Sequence, residues 1–552
     1  MSSVVQPRTP EDLLQTLAYR PQLRIETLAL LSSLFFSVFC NHVFWQRVAE
    51  TGALAQPGGV LTAVSLFVGM TALTTAMLCL LLYRRTARPV LGVLFIATAL
   101  AVHYMDQYMV YLDPDMLRNI LHTDRREATE LVTTGLVAPL LRFAVLPIAL
   151  LSRVRTKPAT GLRGWTRRGA SVLGALLVAT LAIGASFQNM SALMHNNPNL
   201  RHLITPGNYL VSLVRVAADN GGHAPRQPVG LDARVAPAAT RARPRLLVIV
   251  VGETVRAQNW GLNGYERQTT PELARLDVIN FSDVTACGSS TEVSVPCMFS
   301  QVGRRDYDAG RIKHSESLLH VLDHAGIATA WRDNQSGCKG VCEGLPYQSF
   351  VQTDDPELCN DERCLDEVML KSLQRKIEQT PGDLVVVLHQ LGNHGPSYYH
   401  RYPQRLARFD PACTTAQLGR CSRQQIVNAY DNAVLYTDHF VARTIRLLQA
   451  DRSHDDALIY VSDHGESLGE HGLYLHGAPY AIAPGTQTQV PMVMWLSPGL
   501  ADRRGIDRRC MRDVAMQPAS HDNLFHSALG LMKVQTGAYD KGLDLFAHCD
   551  GA

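Results

Sequence analysis

Five apolar stretches crowd the first third of the chain, at about 26–46, 59–83, 89–111, 131–151 and 170–190. Each comes close to the ~20 residues a helix needs to cross a hydrocarbon layer. Taken in alternation, one set of flanks holds Arg8, Arg20 and Arg24, then Arg84, Arg85 and Arg88, then Arg153, Arg155, Lys157, Arg163, Arg167 and Arg168. The opposite flanks hold only Arg47, Arg118, Arg125 and Arg126. Because cytoplasmic loops carry the surplus of Lys and Arg, the bias predicts a cytoplasmic N-terminus and places everything after residue 190 outside. An uncleaved secretion signal ahead of a soluble protein is the competing reading, and five spans argue against it. With 552 residues and a net charge of +3, the chain exceeds one ordinary core and is too neutral for a nucleic-acid binder.

The cysteines test this topology independently. Ten of the twelve lie after residue 280, mostly in close pairs: Cys287/Cys297, Cys338/Cys342, Cys359/Cys364 and Cys413/Cys421, with Cys510 and Cys549 left to match each other. Disulfides persist in oxidising compartments, where the charge bias puts this part of the chain. No spacing is the paired C-x-x-C of a zinc ribbon, so disulfides are favoured over zinc clusters.

Three regions follow from the pattern: a transmembrane domain at 1–190 with five spans, a connector along the membrane at 191–244, and a catalytic domain at 245–552. The connector is marked by Gly221-Gly222, Pro225, Pro228 and a Pro/Ala/Arg run up to Pro244. Beyond it, continuous apolar runs at Leu246–Val251, Leu384–Leu388 and Ala457–Val461 read as buried parallel strands. They alternate with amphipathic stretches such as Ile426–Leu448, which predicts an α/β sandwich. In the outward loop after the third span, Asn119, Thr123 and Glu127 are four apart, so one helix would carry all three on a face. A merely solvated face is the bland reading of that spacing.

Ligands in open α/β sheets gather beyond the carboxyl ends of the strands. There the sequence places Glu253 after the first strand, His394 in a Gly/Pro-marked turn after the second, and Asp463-His464-Gly465 after the third, followed by His476. Adjacent strand residues point to opposite faces, so Asp463 and His464 reach one site only where the strand ends and the backbone turns. A mixed carboxylate and imidazole set suits zinc better than magnesium. Cys287-Gly-Ser-Ser-Thr291-Glu-Val-Ser-Val-Pro-Cys297 adds four hydroxyls, on Ser289, Ser290, Thr291 and Ser294, where a helix could begin and its free N–H groups could face a phosphate. Ser289-x-x-Glu292 could instead be only a capping box. An alcohol is a poor nucleophile near neutral pH, and a metal at the sheet edge would activate it.

Taken together, Val251-Gly-Glu253-Thr-Val-Arg256, Asn263-Gly-Tyr-Glu-Arg267, Cys287-Gly-Ser-Ser-Thr291 with Ser294-Val-Pro-Cys-Met-Phe-Ser300, Gly392-Asn-His394-Gly-Pro396, Ser462-Asp-His-Gly-Glu-Ser467 and Ser520-His-Asp-Asn-Leu-Phe-His526 resemble the lipid A phosphoethanolamine transferases. That family consists of inner-membrane relatives of sulfatases and alkaline phosphatase and includes polymyxin-resistance determinants. The resemblance implies a five-helix membrane domain followed by a sulfatase/alkaline-phosphatase-like α/β domain in the periplasm. It implies a zinc ion held by Glu253, Thr291, Asp463 and His464, with Thr291 the nucleophile. It further implies that His394, His476, Lys339 and Ser336 bind the phosphoethanolamine headgroup or a second zinc, and that Asn119, Thr123 and Glu127 contribute to substrate binding. Two departures stand out: Ser289 where many relatives have Thr, and Gln335 where some have Asn.

The implied reaction runs in two halves, from phosphatidylethanolamine to the zinc-activated threonine and then from phosphothreonine to a phosphate of lipid A. The expected partners are those two lipids and the surrounding membrane, with no nucleic acid, and the chain is expected to act as a monomer. A sulfatase would need Cys or Ser followed by Pro and Arg at the nucleophile, which Thr291-Glu-Val-Ser lacks. A transferase of phosphoethanolamine or glycerol phosphate acting on another surface glycan, and a lipid-binding scaffold without catalysis, are the remaining rivals.

Overall fold

The computed structural model describes residues 20–123, 125–157, 161–220, 226–236, 243–351, 353–360 and 363–550. These fall into two compact units, one comprising the chain up to Pro114 with Thr134–Val214, the other Asp115–Thr133 with everything from Arg215 onward.

Among the described residues of the first unit, four helices are long and apolar enough to cross a membrane: Gly59–Leu81, Ala87–Tyr108, Thr134–Arg153 and Gly161–Ala185. One further pair of helices passes the same test of length and composition only when the two are taken together. Ile25–Phe39 and His42–Glu50 are bent by 48° across Cys40-Asn41. A break inside an apolar layer frees backbone groups that must find partners. Asn41 supplies them: its Nδ2 donates to the carbonyls of Phe36 and Thr205 (both 2.9 Å), and its Oδ1 accepts from the Thr205 N–H at 2.9 Å.

Two sequence boundaries shift. The last span begins at Gly161 instead of about 170, so Arg163, Arg167 and Arg168 occupy its first turns and not a flanking loop. Hydropathy counts such residues against a span, but long basic side chains at a helix end reach out to the interface. The stretch read as connector is also partly helical, at Phe187–Asn196 and Gly207–Asn220.

The second unit is built on an eight-stranded sheet. In chain order its strands are β1 (Arg245–Gly252), β2 (Ile279–Thr285), β3 (Ala328–Asp333), β4 (Tyr347–Ser349), β5 (Leu384–His389), β6 (Asp455–Ser462), β7 (Gln489–Leu496) and β8 (Ala519–Ser520). The spatial order is β8-β2-β7-β6-β1-β5-β3-β4, with only β7 antiparallel to its neighbours. Parallel strands are covered on both faces, and so β1, β5 and β6 are uninterrupted apolar runs. The longest cover is the helix Arg423–Ala450, started by a capping box in which Ser422 and Gln425 exchange side-chain bonds. In register, Val251 of β1 lies beside His389 of β5 and Val461 of β6. The three central strands therefore end at one level, and the residues following them meet there.

Five disulfides join Cys287 to Cys297, Cys338 to Cys342, Cys359 to Cys364, Cys413 to Cys421 and Cys510 to Cys549. Cys40 and Cys79, in the membrane helices, are free. The segment 114–130 is not one helix: Pro114–His122 and Arg125–Glu130 are separate, and Thr123 stands in the break, its hydroxyl donating to the Asn119 carbonyl at 2.8 Å. The spacing of four therefore does not put Asn119, Thr123 and Glu127 on a common helical face. Glu127 belongs to the second helix, and its side chain lies outside the described residues.

Candidate active site

Glu253 follows β1 and is completely buried. The next residue, Thr254, is turned into the left-handed region (φ 62°), which a β-branched residue adopts only at a cost. Two bonds hold it there: its hydroxyl donates to Glu253 Oε1 at 2.5 Å, and its N–H donates to Asp463 Oδ1 at 3.1 Å. The ends of β1 and β6 are thus locked to each other. Asp463 Oδ1 also accepts from the His464 N–H at 2.7 Å, whereas its other oxygen, Oδ2, is buried without a hydrogen-bond partner. After His464 the backbone turns at Gly465, where a Cβ would lie 2.2 Å from the Thr486 carbonyl oxygen. Glycine is required there by close approach of the chain, since its φ is not positive.

Thr291 opens the helix Thr291–Met298, whose N-cap is Ser290 with no side-chain bond. Ser289 is not a cap either; its hydroxyl donates to the Ala478 carbonyl at 2.5 Å. Ser294, one turn on, donates to the Asp463 carbonyl at 2.5 Å and accepts from the Gly288 N–H at 3.2 Å, anchoring the loop to β6. His521 completes the anchor. Its Nδ1 accepts from the Cys287 N–H (3.0 Å), so Nε2–H donates to the Ser462 carbonyl (2.9 Å), and burial lowers its pKa to about 4. This histidine was visible only as part of a motif, and nothing in its spacing announced the role.

The loop delivers the Thr291 hydroxyl to 3.2 and 3.1 Å from the two Glu253 oxygens and 3.3 Å from His464 Nε2. His464 Nδ1 lies 2.9 Å from the Gly465 carbonyl and donates to it, which aims Nε2 at the cluster, 3.4 Å from both Glu253 Oε1 and Asp463 Oδ2. One donor atom each from Glu253, Asp463 and His464 fall within 4.8 Å of one another. Burial and the adjacent Glu253 charge raise Asp463 to about 6. Burial works against the His464 cation, but the carboxylates of Asp463 and Glu253 overcome it and push the ring up to about 10. Burial likewise disfavours the Glu253 carboxylate, yet the hydrogen bond and charge of His464, with His394 and His476 behind it, hold it well below the usual range. Two buried carboxylates, a partnerless carboxylate oxygen and an imidazole oriented by its second nitrogen form a donor set that fits a divalent metal.

The remaining expected residues lie around this cluster in different degrees. The His476 ring centroid is 4.4 Å from that of His464 and 5.3 Å from that of His394. His476 Nδ1 is 3.3 Å from Glu466 Oε1, and burial together with the His464 charge lowers its pKa. Lys339 Nζ donates to Ser336 Oγ at 2.7 Å, Ser336 donates to Gln335 Oε1 at 2.5 Å, and Gln335 Nε2 donates to Glu253 Oε2 at 3.0 Å. Gln335 is thus the link through which Ser336 and Lys339 reach the cluster. Among the described residues, no side-chain hydrogen bond joins Asn119 or Thr123 to it. The segment that carries them does touch the surroundings: His122 Nδ1 is 2.9 Å from Glu292 Oε2, and Glu130 pairs with Arg401 (2.7 Å), whose Nε donates to the His394 carbonyl at 2.6 Å. Arg401 is a second residue that spacing alone did not reveal.

Comparison with known proteins places this geometry in context. The sulfatase family profile matches residues 245–534, and a profile described as phosphoethanolamine transferase EptA/EptB matches residues 70–220. Phosphoethanolamine transferase EptA of Escherichia coli strain K12 is 36% identical over 545 residues, covering 97% of this chain and 99% of the relative. Phosphatidylethanolamine transferase Mcr-1, from Escherichia coli, is 38% identical over 478 residues, 84% of this chain and 88% of the relative. Among solved structures, the integral membrane lipooligosaccharide phosphoethanolamine transferase A of Neisseria meningitidis superposes with a TM-score of 0.91 at 35% identity, covering 96% of this chain and all of that one.

Proposed function

The chain belongs to the EptA/EptB family of phosphoethanolamine transferases, and from that premise we propose that it moves phosphoethanolamine from phosphatidylethanolamine to a phosphate of lipid A at the outer face of the cytoplasmic membrane. The observation that carries the reading is the Thr291 hydroxyl, within 3.3 Å of His464 and both Glu253 oxygens, at the start of a helix.

In the first half-reaction Thr291 Oγ1 attacks phosphorus, the bond to the glycerol oxygen breaks, and diacylglycerol leaves with a proton. In the second, an oxygen of a protonated lipid A phosphate attacks that phosphorus, the bond to Thr291 Oγ1 breaks, and the proton released by the acceptor phosphate passes to Thr291. Glu253 Oε1 and Oε2 both lie within hydrogen-bond distance of the Thr291 hydroxyl and orient it in the cluster. The N–H groups left without helical partners at the start of the Thr291 helix would offset charge on the oxygens of the transferring phosphoryl group. A zinc ion held by Glu253, Asp463, His464 and Thr291 would favour the ionised hydroxyl and offset charge on the transferring group. His394 and His476 suit either the headgroup phosphate or a second zinc, and Lys339 and Ser336 suit the headgroup. Asn119, Thr123 and Glu127 are assigned to the lipid substrates through the family resemblance. The catalytic domain is taken to run from 245 to 552, and the active species is taken to be a monomer.

The test is mass spectrometry on two samples. Protein incubated with phosphatidylethanolamine should carry phosphoethanolamine on the peptide containing Thr291, and lipid A from cells making the chain should gain the same group. Thr291→Ala should lose both while keeping its metal content. A glycerol phosphate adduct on Thr291 would point to the surface-polymer alternative. Unchanged lipid A modification by the alanine variant would remove Thr291 from the mechanism.

A further inference from the structure

A second cationic site lies in the membrane unit, at the end that carries the surplus of Arg and Lys. A cavity of about 300 Å³ is lined by Ile25, Glu26, Tyr83, Arg84, Arg85, Lys157, Gly164, Trp165 and Arg168. Four segments close on it: the start of the helix Ile25–Phe39, the turn before Ala87–Tyr108, the residue after the short strand Arg155–Thr156, and the first turns of Gly161–Ala185. Three helix N-termini therefore lie at or beside the cavity, and their dipoles reinforce a positive potential there.

Among the described residues, no carboxylate comes within ion-pair distance of Arg84, Arg85, Lys157 or Arg168, and Glu26 is the single acid in the wall. Arg168 is held in place, its guanidinium 4.0 Å above the Tyr83 ring and donating to the Leu80 carbonyl at 2.9 Å. A cavity of about 440 Å³ in the other unit makes the contrast. It too is basic, yet its Arg443 pairs with Glu367, Arg446 with Glu272 and Lys371 with Asp355, so each of its three cations already has a carboxylate partner. Tyr83 and Trp165, both exposed, are the aromatic types that settle at the headgroup level, and Leu80, Leu81 and Leu162 near them in the chain are exposed as well.

We propose that this cavity binds the phosphate headgroup of an anionic phospholipid, with Arg84, Arg85 and Lys157 on the phosphate and the acyl chains running along the exposed leucines. Basic pockets between membrane helices on the cytoplasmic side commonly take such headgroups. Phosphatidylethanolamine is the informative comparator: it carries the same phosphate, but its ammonium would enter a wall of four cations with Glu26 the one carboxylate to offset them, whereas an anionic headgroup brings no cation.

The full-length protein in vesicles of equal phosphatidylethanolamine and phosphatidylglycerol, doped with a photoactivatable analogue of one or the other, tests this by mass mapping of the labelled peptides. Phosphatidylglycerol should label the peptides around 80–85 and 162–168 at least about fivefold more than phosphatidylethanolamine, roughly the effect of one basic group near a charged lipid surface. Arg84→Gln/Arg85→Gln should abolish the difference without lowering phosphoethanolamine transfer. Equal labelling by the two lipids in the natural protein overturns the proposal with no variant needed. Loss of the phosphatidylglycerol label in millimolar inorganic phosphate, at constant ionic strength, would assign the cavity to a soluble anion and also overturn it.

Discussion

At the scale of single residues, the cluster is arranged so that its donors are ready for a cation before one arrives. His464 shows this best. Its Nδ1 proton is committed to the Gly465 carbonyl, so the only proton it can give up is on Nε2, beside Glu253 and Asp463. In the metal-free protein that proton stays on up to about pH 10, while Asp463 titrates near 6 and Glu253 is ionised far below neutrality. A metal needs the Nε2 lone pair, so uptake at pH 7.5 should release one proton from His464 and a second where the Thr291 hydroxyl ionises on binding. Below pH 6, where Asp463 is protonated as well, uptake should release one more and affinity should fall more steeply with each pH unit. Calorimetric titration of the metal-stripped protein with Zn²⁺, in two buffers of different ionisation enthalpy, measures this directly. Zero proton release at pH 7.5 would mean that His464 is already neutral, or that it is not a ligand.

At the scale of elements, the strand ends do the positioning, and how much of this the sequence disclosed varied with the kind of interaction. β1, β5 and β6 were readable because strands buried on both faces must be apolar throughout. The long helix read at Ile426–Leu448 is Arg423–Ala450. Long-range polar contacts were not readable: Gln335 on Glu253, His521 bridging Cys287 to Ser462, and Arg401 on His394 depend on tertiary proximity that no local pattern encodes. The short helices Pro114–His122 and Arg125–Glu130 were read as one because a repeat of four cannot report where the backbone breaks.

The second of those helices carries a mostly buried carboxylate that yields a prediction. Glu130 pairs with Arg401 at 2.7 Å and with Arg363, and Arg401 in turn holds the His394 carbonyl. Burial disfavours its charge, but the two guanidiniums outweigh that and depress its pKa. A depressed carboxylate contributes stability that is present above its unfolded-state pKa and is lost as pH falls through the folded value. Glu130→Gln should therefore cost about 3–5 kcal/mol at pH 7, the usual toll of removing one partner from a buried pair, and should flatten the acid limb of the stability profile. Chemical unfolding between pH 3 and pH 7 tests both. If the variant lost stability equally at every pH, packing rather than charge would explain the contact.

At the scale of the whole molecule, the chain joins its catalytic unit to membrane helices that supply none of the residues of the Thr291 cluster. The sheet and disulfides lie within one unit, and Glu253, Thr291, Asp463 and His464 all belong to it. A fragment beginning near Arg215 should therefore fold, bind metal and form the phosphothreonine with a short-chain, water-soluble phosphatidylethanolamine. Both proposed substrates, however, are lipids. Removing the anchor removes the confinement that keeps donor, acceptor and Thr291 in one thin layer, and such positioning supplies several kcal/mol toward a bimolecular step. The fragment also lacks Asp115–Thr133, and with it the Glu130 contact to Arg401. Transfer to lipid A in vesicles should fall by more than about a hundredfold, while turnover of the soluble donor falls much less. Adding back Glu130→Gln in the full-length chain separates the two causes, since that variant keeps the anchor. Equal loss on soluble and vesicle substrates would place the defect in the site itself, and undiminished vesicle activity would mean that the helices serve some purpose other than bringing the lipids together.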